Sequence, residues 1–243
     1  AVGASNTFRK LLPDGALGKD TYLKQLEQTT PSLPHLGLYV GMQANPSELG
    51  LPQHNLWIHR SDQYDEAFRM FESAPNFDFP AYYVSFPSAK DPQWSVKHPG
   101  KSTIEVVVPV PFAWFSKWQG SKWHKRGPEY AAFKQQATEV MLNVLYEHLP
   151  QLRGKIHYTE LSTPLSTVHF CDYQHGEMYG LNHDVRRYDQ RWLRTDTTIK
   201  NLYLAGQDIL ACGVGGAMTS GVLTAIRILG PWKARSLIAM TLQ

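Results

Sequence analysis

The stretch Asn201-Leu-Tyr-Leu-Ala-Gly-Gln-Asp-Ile-Leu210, continued by Ala211-Cys-Gly-Val-Gly-Gly-Ala217, decides the fold expected for the last part of this chain. Its short apolar run at residues 202–205 predicts a strand that is buried on both faces. A polar, glycine-rich turn follows. The apolar periodicity after that turn predicts a helix that continues to about Leu229 and ends at Gly230-Pro231.

Two interpretations of this strand, loop and helix stay open on the residues alone. The N–H groups and the partial positive charge of a helix N-terminus favour an anion or an electron-rich ring edge. Glycine clusters also serve close packing between a strand and a helix, with no ligand involved. The series from Gly213 to Met218 lacks the third glycine of the dinucleotide-binding motif, so it does not by itself predict a dinucleotide site.

Composition indicates a globular protein. The 243 residues are 42% apolar and 19% charged, which suits one large domain or two small ones. The net charge of +3 is small and the basic residues are scattered, so we expect no nucleic-acid partner. Cys171 and Cys212 do not suggest a disulfide framework. No apolar run approaches the roughly 18 residues of a membrane span, and no signal-peptide pattern opens the chain.

The pattern upstream of residue 200 predicts an α+β fold. Helical spacing is seen at residues 7–12, 19–28 and 64–71 and, most clearly, between Pro128 and Pro150. Turn-rich connections between apolar runs predict a mainly antiparallel sheet rather than repeated βαβ units. The strands are expected at residues 36–42, 56–59, 80–86, 103–110 and 155–161, whereas residues 86–92 and 162–191 are predicted to be loops.

Standard catalytic and metal-binding patterns are not found in the sequence. His169, His175 and His183 do not have the helical spacing of zinc hydrolases, so we predict no metal site. The Gly-x-Ser-x-Gly pentapeptide of serine hydrolases does not occur. Cys212 would precede a helix N-terminus, which lowers a thiol pKa, but a packing role is the simpler interpretation because no base is positioned beside it.

Several short motifs, in one order, resemble the retinol saturase family of phytoene-desaturase-like FAD oxidoreductases. They extend from about Gly3 to Leu229 and are the following: residues 201–208 with 213–217, Phe86-Pro-Ser-Ala-Lys-Asp-Pro-x-Trp94, Pro99-Gly-Lys-Ser-Thr103, Trp114-Phe115, Trp118, Lys125-Arg-Gly127, Pro150-Gln-Leu-x-Gly154, Ser162-x-Pro164-Leu165 and Tyr179-Gly-x-x-His183-Asp184.

The resemblance implies an FAD-dependent oxidoreductase that saturates a carbon–carbon double bond of a retinoid or carotenoid-like polyene, with NAD(P)H as a candidate reductant. Carotenoid desaturation and cis–trans isomerisation, which use the same architecture, stay open. The resemblance also implies an endoplasmic-reticulum or other membrane-associated compartment and peripheral membrane contact. The resemblance implies no particular oligomeric state.

The resemblance implies a division of the chain as well. Family members open with a Gly-x-Gly-x-x-Gly unit for the ADP half of FAD, which this sequence lacks. We therefore expect a carboxy-terminal portion of a longer enzyme, with residues 1–196 in the substrate (polyene-binding) domain. Residues 197–232 would form the last strand, loop and helix of a Rossmann-like FAD domain, and 233–243 a tail. An alternative of another class is a non-catalytic substrate-domain fragment that cannot hold FAD.

The matched motif carries over a set of cofactor-binding residues. Asp208 would accept hydrogen bonds from the ribityl or pyrophosphate region of FAD, although it could instead merely cap the helix. The backbone from Gly213 to Gly216 would approach the pyrimidine edge of the flavin ring, where a helix N-terminus stabilises negative charge. The expected set is Gly206, Gln207, Asp208, Gly213, Val214, Gly215, Gly216 and Ala217.

Substrate residues are expected just upstream. His169, Phe170 and Tyr179 would line a pocket at the flavin face. His183 would supply a proton after hydride transfer, because an unperturbed histidine titrates near pH 6.5. A structural histidine bonded to the backbone is the alternative. The aromatic side chains of residues 114, 115 and 118 fit an apolar tunnel, a membrane contact or the core.

Overall fold

The structure is a computed structural model that describes residues 2–72, 77–230 and 233–235. Within those residues the helices, in chain order, are α1 (Ala4–Asn6), α2 (Lys19–Leu26), α3 (Tyr64–Glu72), α4 (Pro87–Lys90), α5 (Trp94–Lys97), α6 (Gly127–His148), α7 (Pro164–Cys171), α8 (Val185–Tyr188) and α9 (Gly213–Leu229). A π-helix covers Thr7–Leu11, and 3-10 helices cover Phe112–Trp118 and Pro150–Leu152. The strands are β1 (His35–Met42), β2 (Leu56–His59), β3 (Ala81–Ser85), β4 (Ser102–Pro109) and β5 (Ile156–Ser162).

The chain forms two compact units. Unit 1 comprises residues 1–33 and 171–243, and unit 2 comprises residues 34–170. The functional division at residue 196 that the resemblance implies stays a prediction, because compactness does not say which residues bind substrate or cofactor.

Unit 2 is built on a five-stranded sheet in the order β2-β3-β4-β1-β5. Every described pairing is antiparallel, with Leu38 opposite Val106 on one side and opposite Leu161 on the other. β4 alternates buried and half-exposed residues, as expected for a strand with one face on the core. The α+β class and the antiparallel sheet predicted from the sequence are therefore confirmed.

The core of unit 2 joins the sheet to α6. Ile104 and Val106 of β4 and Met141 and Leu145 of α6 are each at most 1% exposed and belong to one apolar cluster. Phe115 and Trp118 are buried in the same cluster, and Trp114 packs against it. Of the tunnel, membrane and core positions predicted for these three aromatic side chains, the structure shows the core position.

Two segments predicted as loops contain helices. α4 begins at Pro87, and α7 begins at Pro164; proline is favoured in a first helical turn because its missing N–H is not needed there. Before α7, the Thr163 N–H donates to Ser166 Oγ at 3.2 Å. The side chain of Asp184 caps α8 by accepting the Arg187 N–H. The loop prediction for residues 162–191 was therefore wrong at residues 164–171 and 185–188, because such short helices depend on their caps rather than on apolar periodicity.

Unit 1 packs around a smaller apolar cluster. Phe8 and Tyr22 stack with ring centroids 4.2 Å apart, and Leu181 and Leu204 complete the cluster with Ala4 and Leu26. The helix predicted up to Leu229 is present as α9, and Gly230 is its C-cap. Pro231 lies outside the described residues.

The strand predicted at residues 202–205 is not formed. Tyr203 makes a single β-bridge to Asp196 and is 41% exposed, although Leu204 is buried. A buried strand needs neighbouring strands for its backbone groups, and all five strands of the described residues belong to unit 2. The details expected of an FAD domain therefore stay predictions.

Among the residues that the structure describes, no helix is long and apolar enough to cross a membrane.

Candidate cofactor-binding corner

The N-terminus of α9 carries most of the predicted cofactor-binding residues. α9 begins at Gly213, whose φ of +82° lies in a region that favours glycine. The N-cap residue Cys212 makes no side-chain capping bond. Instead, Gly213 N–H donates to Oε1 of Gln207 at 3.4 Å, the only hydrogen bond recorded for the amides of the first turn within the described residues. Gln207 thus contacts the start of α9, and its contact with a cofactor stays a prediction. The other amides of the turn are available to an acceptor.

The glycines of this turn divide into two kinds. A Cβ added to Gly213 or Gly215 would meet nothing within 4 Å, and Val214 beside them is 79% exposed. A Cβ added to Gly216 would overlap the backbone carbonyl of Ala211. Gly216 therefore serves internal packing, whereas Gly213 and Gly215 leave an open approach to the backbone.

Asp208 has a buried carboxylate that joins distant parts of unit 1. Its Oδ2 accepts the N–H of Ala4 at 2.7 Å, and its Oδ1 accepts the N–H of Leu181 at 2.9 Å. The side chain is 4% exposed. The interpretation of Asp208 as the cap of the last helix was wrong, because Cys212 occupies that position. Its contact with FAD stays a prediction.

Gly180 is shaped by the same carboxylate. Its φ is +69°, and a Cβ added there would overlap Oδ1 of Asp208. A side chain at this position would therefore push the carboxylate out of reach of Leu181. Close packing against Asp208 therefore explains why the Tyr179-Gly180 part of the resemblance motif has a glycine.

Arg187 organises the turn before α9 and was not singled out from the sequence. It is 3% exposed, and its Nη2 donates to the carbonyl oxygens of Gln207 and Asp208 at 2.9 and 2.7 Å. Its Nη1 donates to Leu210 O at 3.4 Å. The spacing of Asp184 and Arg187 could have indicated the cap of α8, but no sequence signal marks this arginine as buried. The guanidinium holds residues 207–210 by three carbonyl groups.

His183 lies beside this arginine. Burial lowers the pKa of its imidazole, the nearby Arg187 cation lowers it further, and Asp208 and the backbone carbonyls of Leu181 and Gln207 oppose this change. Its Nε2 is buried, with no hydrogen-bond partner among the described residues. The ring is therefore mostly neutral at neutral pH, so as a proton donor it would first have to take up a proton. The catalytic role of His183 stays a prediction.

A cleft of about 150 Å³ in unit 1 borders Asp208. Arg9, Tyr173 and Glu177 contribute polar groups to its wall. Burial raises the pKa of Tyr173, and the carboxylates of Asp208 and Glu177 raise it further, so its hydroxyl stays a donor. Such a lining suits a polar group better than the apolar body of a polyene.

The predicted substrate residues belong to two different units. His169 and Phe170 lie on α7 in unit 2, where His169 stacks on Trp123 with ring centroids 5.0 Å apart. Tyr179 belongs to unit 1, is 41% exposed and donates its backbone N–H to Ser32 Oγ. A common pocket of these residues with His183 stays a prediction. In the described residues, no group of three or more His, Cys, Asp or Glu side chains could hold a metal ion.

The chain is similar to known proteins over nearly its whole length. It is 33% identical over 235 residues to the all-trans-retinol 13,14-reductase of Rattus norvegicus, and 32% identical over 235 residues to that of Homo sapiens. These matches cover 94% of the chain but only 39% and 38% of the two relatives. A Danio rerio protein named inactive all-trans-retinol 13,14-reductase is 29% identical over 236 residues, 94% of the chain and 39% of that relative. No protein-family model matches.

Proposed function

Because the chain belongs to the retinol saturase family over the region that these relatives match, we propose that it forms part of an FAD-dependent reductase of retinoid double bonds. The relatives are named for the reduction of all-trans-retinol across carbons 13 and 14. The chain spans about two-fifths of their length. Both the activity and the cofactor are therefore proposals for this protein.

The observation that carries the proposal is the open first turn of α9. Gly213 and Gly215 leave space beside the backbone, and the helix end offers N–H donors with a partial positive charge. This donor set fits the carbonyl and nitrogen groups at the edge of a flavin ring. A bound flavin would supply the hydride for the double bond. The backbone at Gly215 would orient that ring and stabilise negative charge on it.

The residues behind the turn set its position. Arg187 holds the carbonyl groups of residues 207, 208 and 210, and the Asp208 carboxylate ties the turn to Ala4 and Leu181. These buried bonds support an orienting role, because a first turn that must meet a ring edge needs a rigid base. In this proposal the main role of Asp208 is to hold the backbone of the turn in place. A direct hydrogen bond to FAD would be a second role.

A second candidate is a non-catalytic member of the family. The Danio rerio relative named inactive matches this chain over 94% of its length, so the matched region is shared with a protein that bears that name. Desaturation and isomerisation of a polyene are further alternatives to reduction.

Two measurements separate these candidates. The purified chain is titrated with FAD, and bound flavin is measured by its visible absorbance after gel filtration. The flavin-loaded protein is then reduced and given all-trans-retinol without oxygen. The proposal expects a dihydroretinol product. Recovery of a geometric isomer without any dihydro product would contradict reduction. Failure to retain flavin, both by this chain and by a version extended at the amino terminus with the ADP-binding unit that the resemblance implies, would favour the non-catalytic candidate.

A further inference from the structure

A cavity of about 370 Å³ in unit 1 is lined by α2 and by the segment that follows α8. None of its lining residues belongs to the motifs that indicated the family. Two arginines, Arg191 and Arg194, stand against a single acidic residue, Asp196, in its wall. A cavity of this volume can hold a small molecule, and the balance of charge favours an anion.

The wall of this cavity is anchored to the apolar cluster of unit 1. The Trp192 ring meets the rings of Phe8 and Tyr22 edge-on, at centroid distances of 6.1 and 5.8 Å. Tyr22 Oη accepts the N–H of Thr198 at 2.8 Å, which ties α2 to the far end of the lining segment. These contacts hold both sides of the cavity in place before any ligand enters.

The two arginines have donors to spare. Arg191 has no hydrogen bond or ion pair from its side chain to any residue that the structure describes. Arg194 donates from Nε to the backbone oxygen of Arg191 at 2.6 Å, and its two Nη groups have no partner in the described ranges. That bond holds the Arg194 side chain close to the Arg191 backbone. Guanidinium groups with free donors bind phosphate oxygens in pairs of parallel hydrogen bonds.

The acidic residue of the lining does not cancel this charge. Oδ2 of Asp196 lies 3.4 Å from Nη2 of Arg227, which is not part of the cavity wall. The pair of Asp196 and Arg227 is neutral as a whole. The wall therefore keeps the positive charge of Arg191 and Arg194.

Gln25 of α2 adds a polar group that lacks a partner. Its Oε1 is buried and accepts no hydrogen bond from the described residues. A buried carbonyl oxygen without a donor is unfavourable, and a rotation of the side chain would turn it toward a ligand in the cavity. Because this atom is an acceptor, it selects a hydroxyl or amino group rather than a second anion.

We propose that this cavity binds a small phosphomonoester that also carries hydroxyl groups. The phosphate lies at Arg191 and Arg194, and a hydroxyl group donates to Gln25. A phosphomonoester carries a charge of about −1.5 to −2 at neutral pH, which matches two guanidinium groups better than the single charge of a carboxylate or a phosphodiester. The proposal does not depend on flavin binding or on the reduction of a retinoid.

Isothermal titration calorimetry of the purified chain tests the proposal, with ribose 5-phosphate, inorganic phosphate and ribose as probes. We expect ribose 5-phosphate to bind most tightly, inorganic phosphate to bind about fivefold more weakly, and ribose to give no measurable heat. Arg191→Gln should bind ribose 5-phosphate about tenfold more weakly, because a charge-assisted hydrogen bond is lost. The variant should fold like the parent chain, since the Arg191 side chain makes no bond to the described residues.

Arg186→Gln is the matched control, because it changes the net charge equally and its 76% exposed side chain lies outside the cavity lining. It should bind ribose 5-phosphate like the parent chain. Gln25→Met should lower the affinity for ribose 5-phosphate about fivefold and leave the affinity for inorganic phosphate unchanged.

Four results would each overturn the proposal. They are no heat from ribose 5-phosphate, equal affinities for ribose 5-phosphate and inorganic phosphate, equal losses in Arg186→Gln and Arg191→Gln, and displacement of ribose 5-phosphate by FAD. The last result would make the cavity part of the proposed flavin site instead of a separate one.

Discussion

The guanidinium of Arg187 donates to the backbone carbonyl of Asp208 at 2.7 Å, while the side chain of the same aspartate accepts N–H groups from Ala4 and Leu181. The two charged groups thus act on one turn through its main chain. Both are almost completely buried, at 3% and 4% exposure. This arrangement fixes the segment that precedes α9 and leads to the following predictions.

Arg187→Met should destabilise unit 1 by about 2–4 kcal/mol, because one buried and two part-buried carbonyl groups lose a charged donor. Urea denaturation followed by circular dichroism measures the change. Arg186→Met is the matched control, since its side chain is 76% exposed and makes a 3.7 Å ion pair with Asp184. Similar losses in both variants would contradict the role assigned to Arg187.

Asp208→Asn should destabilise the protein by about 1–3 kcal/mol. The amide keeps the shape of the side chain but replaces one acceptor oxygen by a donor, which then faces the N–H of Ala4 or Leu181. Exposed Asp189→Asn serves as the control. If flavin retention falls in Asp208→Asn while the unfolding curve stays that of the parent chain, Asp208 contacts the cofactor rather than acting through the backbone.

Gly215→Ala should separate folding from cofactor binding. The added methyl group meets open space, and alanine stabilises a helix by about 1 kcal/mol relative to glycine, so the protein should become slightly more stable. In the proposed site the methyl group occupies the approach to the backbone, so flavin retention should fall. Gly221→Ala, in the same helix and with equally open space, should be stabilised without loss of flavin. Unchanged retention in Gly215→Ala would remove this turn from the site.

Gly216→Ala should behave in the opposite way. Its methyl group overlaps the Ala211 carbonyl, so the start of α9 must shift, at a cost of about 1–3 kcal/mol. Thermal and urea unfolding would measure this loss. A stabilised Gly216→Ala variant would show that the close approach of these two residues is not required.

The pH dependence of stability should carry a contribution from His183. Its pKa in the folded protein is lowered from 6.5, chiefly by burial. The unfolded chain therefore takes up a proton first as pH falls below 6.5, and stability drops until the folded pKa is reached. Well above pH 6.5 the imidazole is neutral in both states, and His183 makes no pH-dependent contribution to stability. Urea denaturation at neutral pH and at about pH 5.5 should show a smaller acid loss for His183→Gln than for the parent chain.

Exposed His157→Gln provides the control for this pH series. It should keep the acid loss of the parent chain. His35 also has a pKa that is lowered by burial, so part of the acid loss should persist in His183→Gln. An unchanged acid loss in His183→Gln would contradict the assignment.

The sequence by itself determined the elements whose pattern is repeated over many residues. The apolar run that contains Ile104, Val106 and Val108 identified β4, and the apolar stripe that includes Met141 and Leu145 identified α6. Both patterns arise because the residues that an element buries are apolar. The same reasoning located α9 and its C-cap at Gly230, and the order of short motifs indicated the family.

Only the tertiary structure decided how the candidate site is held. Asp208 and Leu181 are 27 residues apart, and Asp208 and Ala4 are 204 apart, so no local pattern could join them. The burial of Arg187 likewise depends on the carbonyl groups of residues that are distant in the sequence. Gly215 faces open space whereas Gly216 meets the Ala211 carbonyl, and this difference also depends on the tertiary structure. Residues 202–205 looked like a strand by apolarity, but a strand exists only through its neighbours, and the described part of unit 1 offers a single bridge at Tyr203. Local chemistry sets which face of an element is buried, whereas long-range backbone contacts set what each polar group at the site can reach.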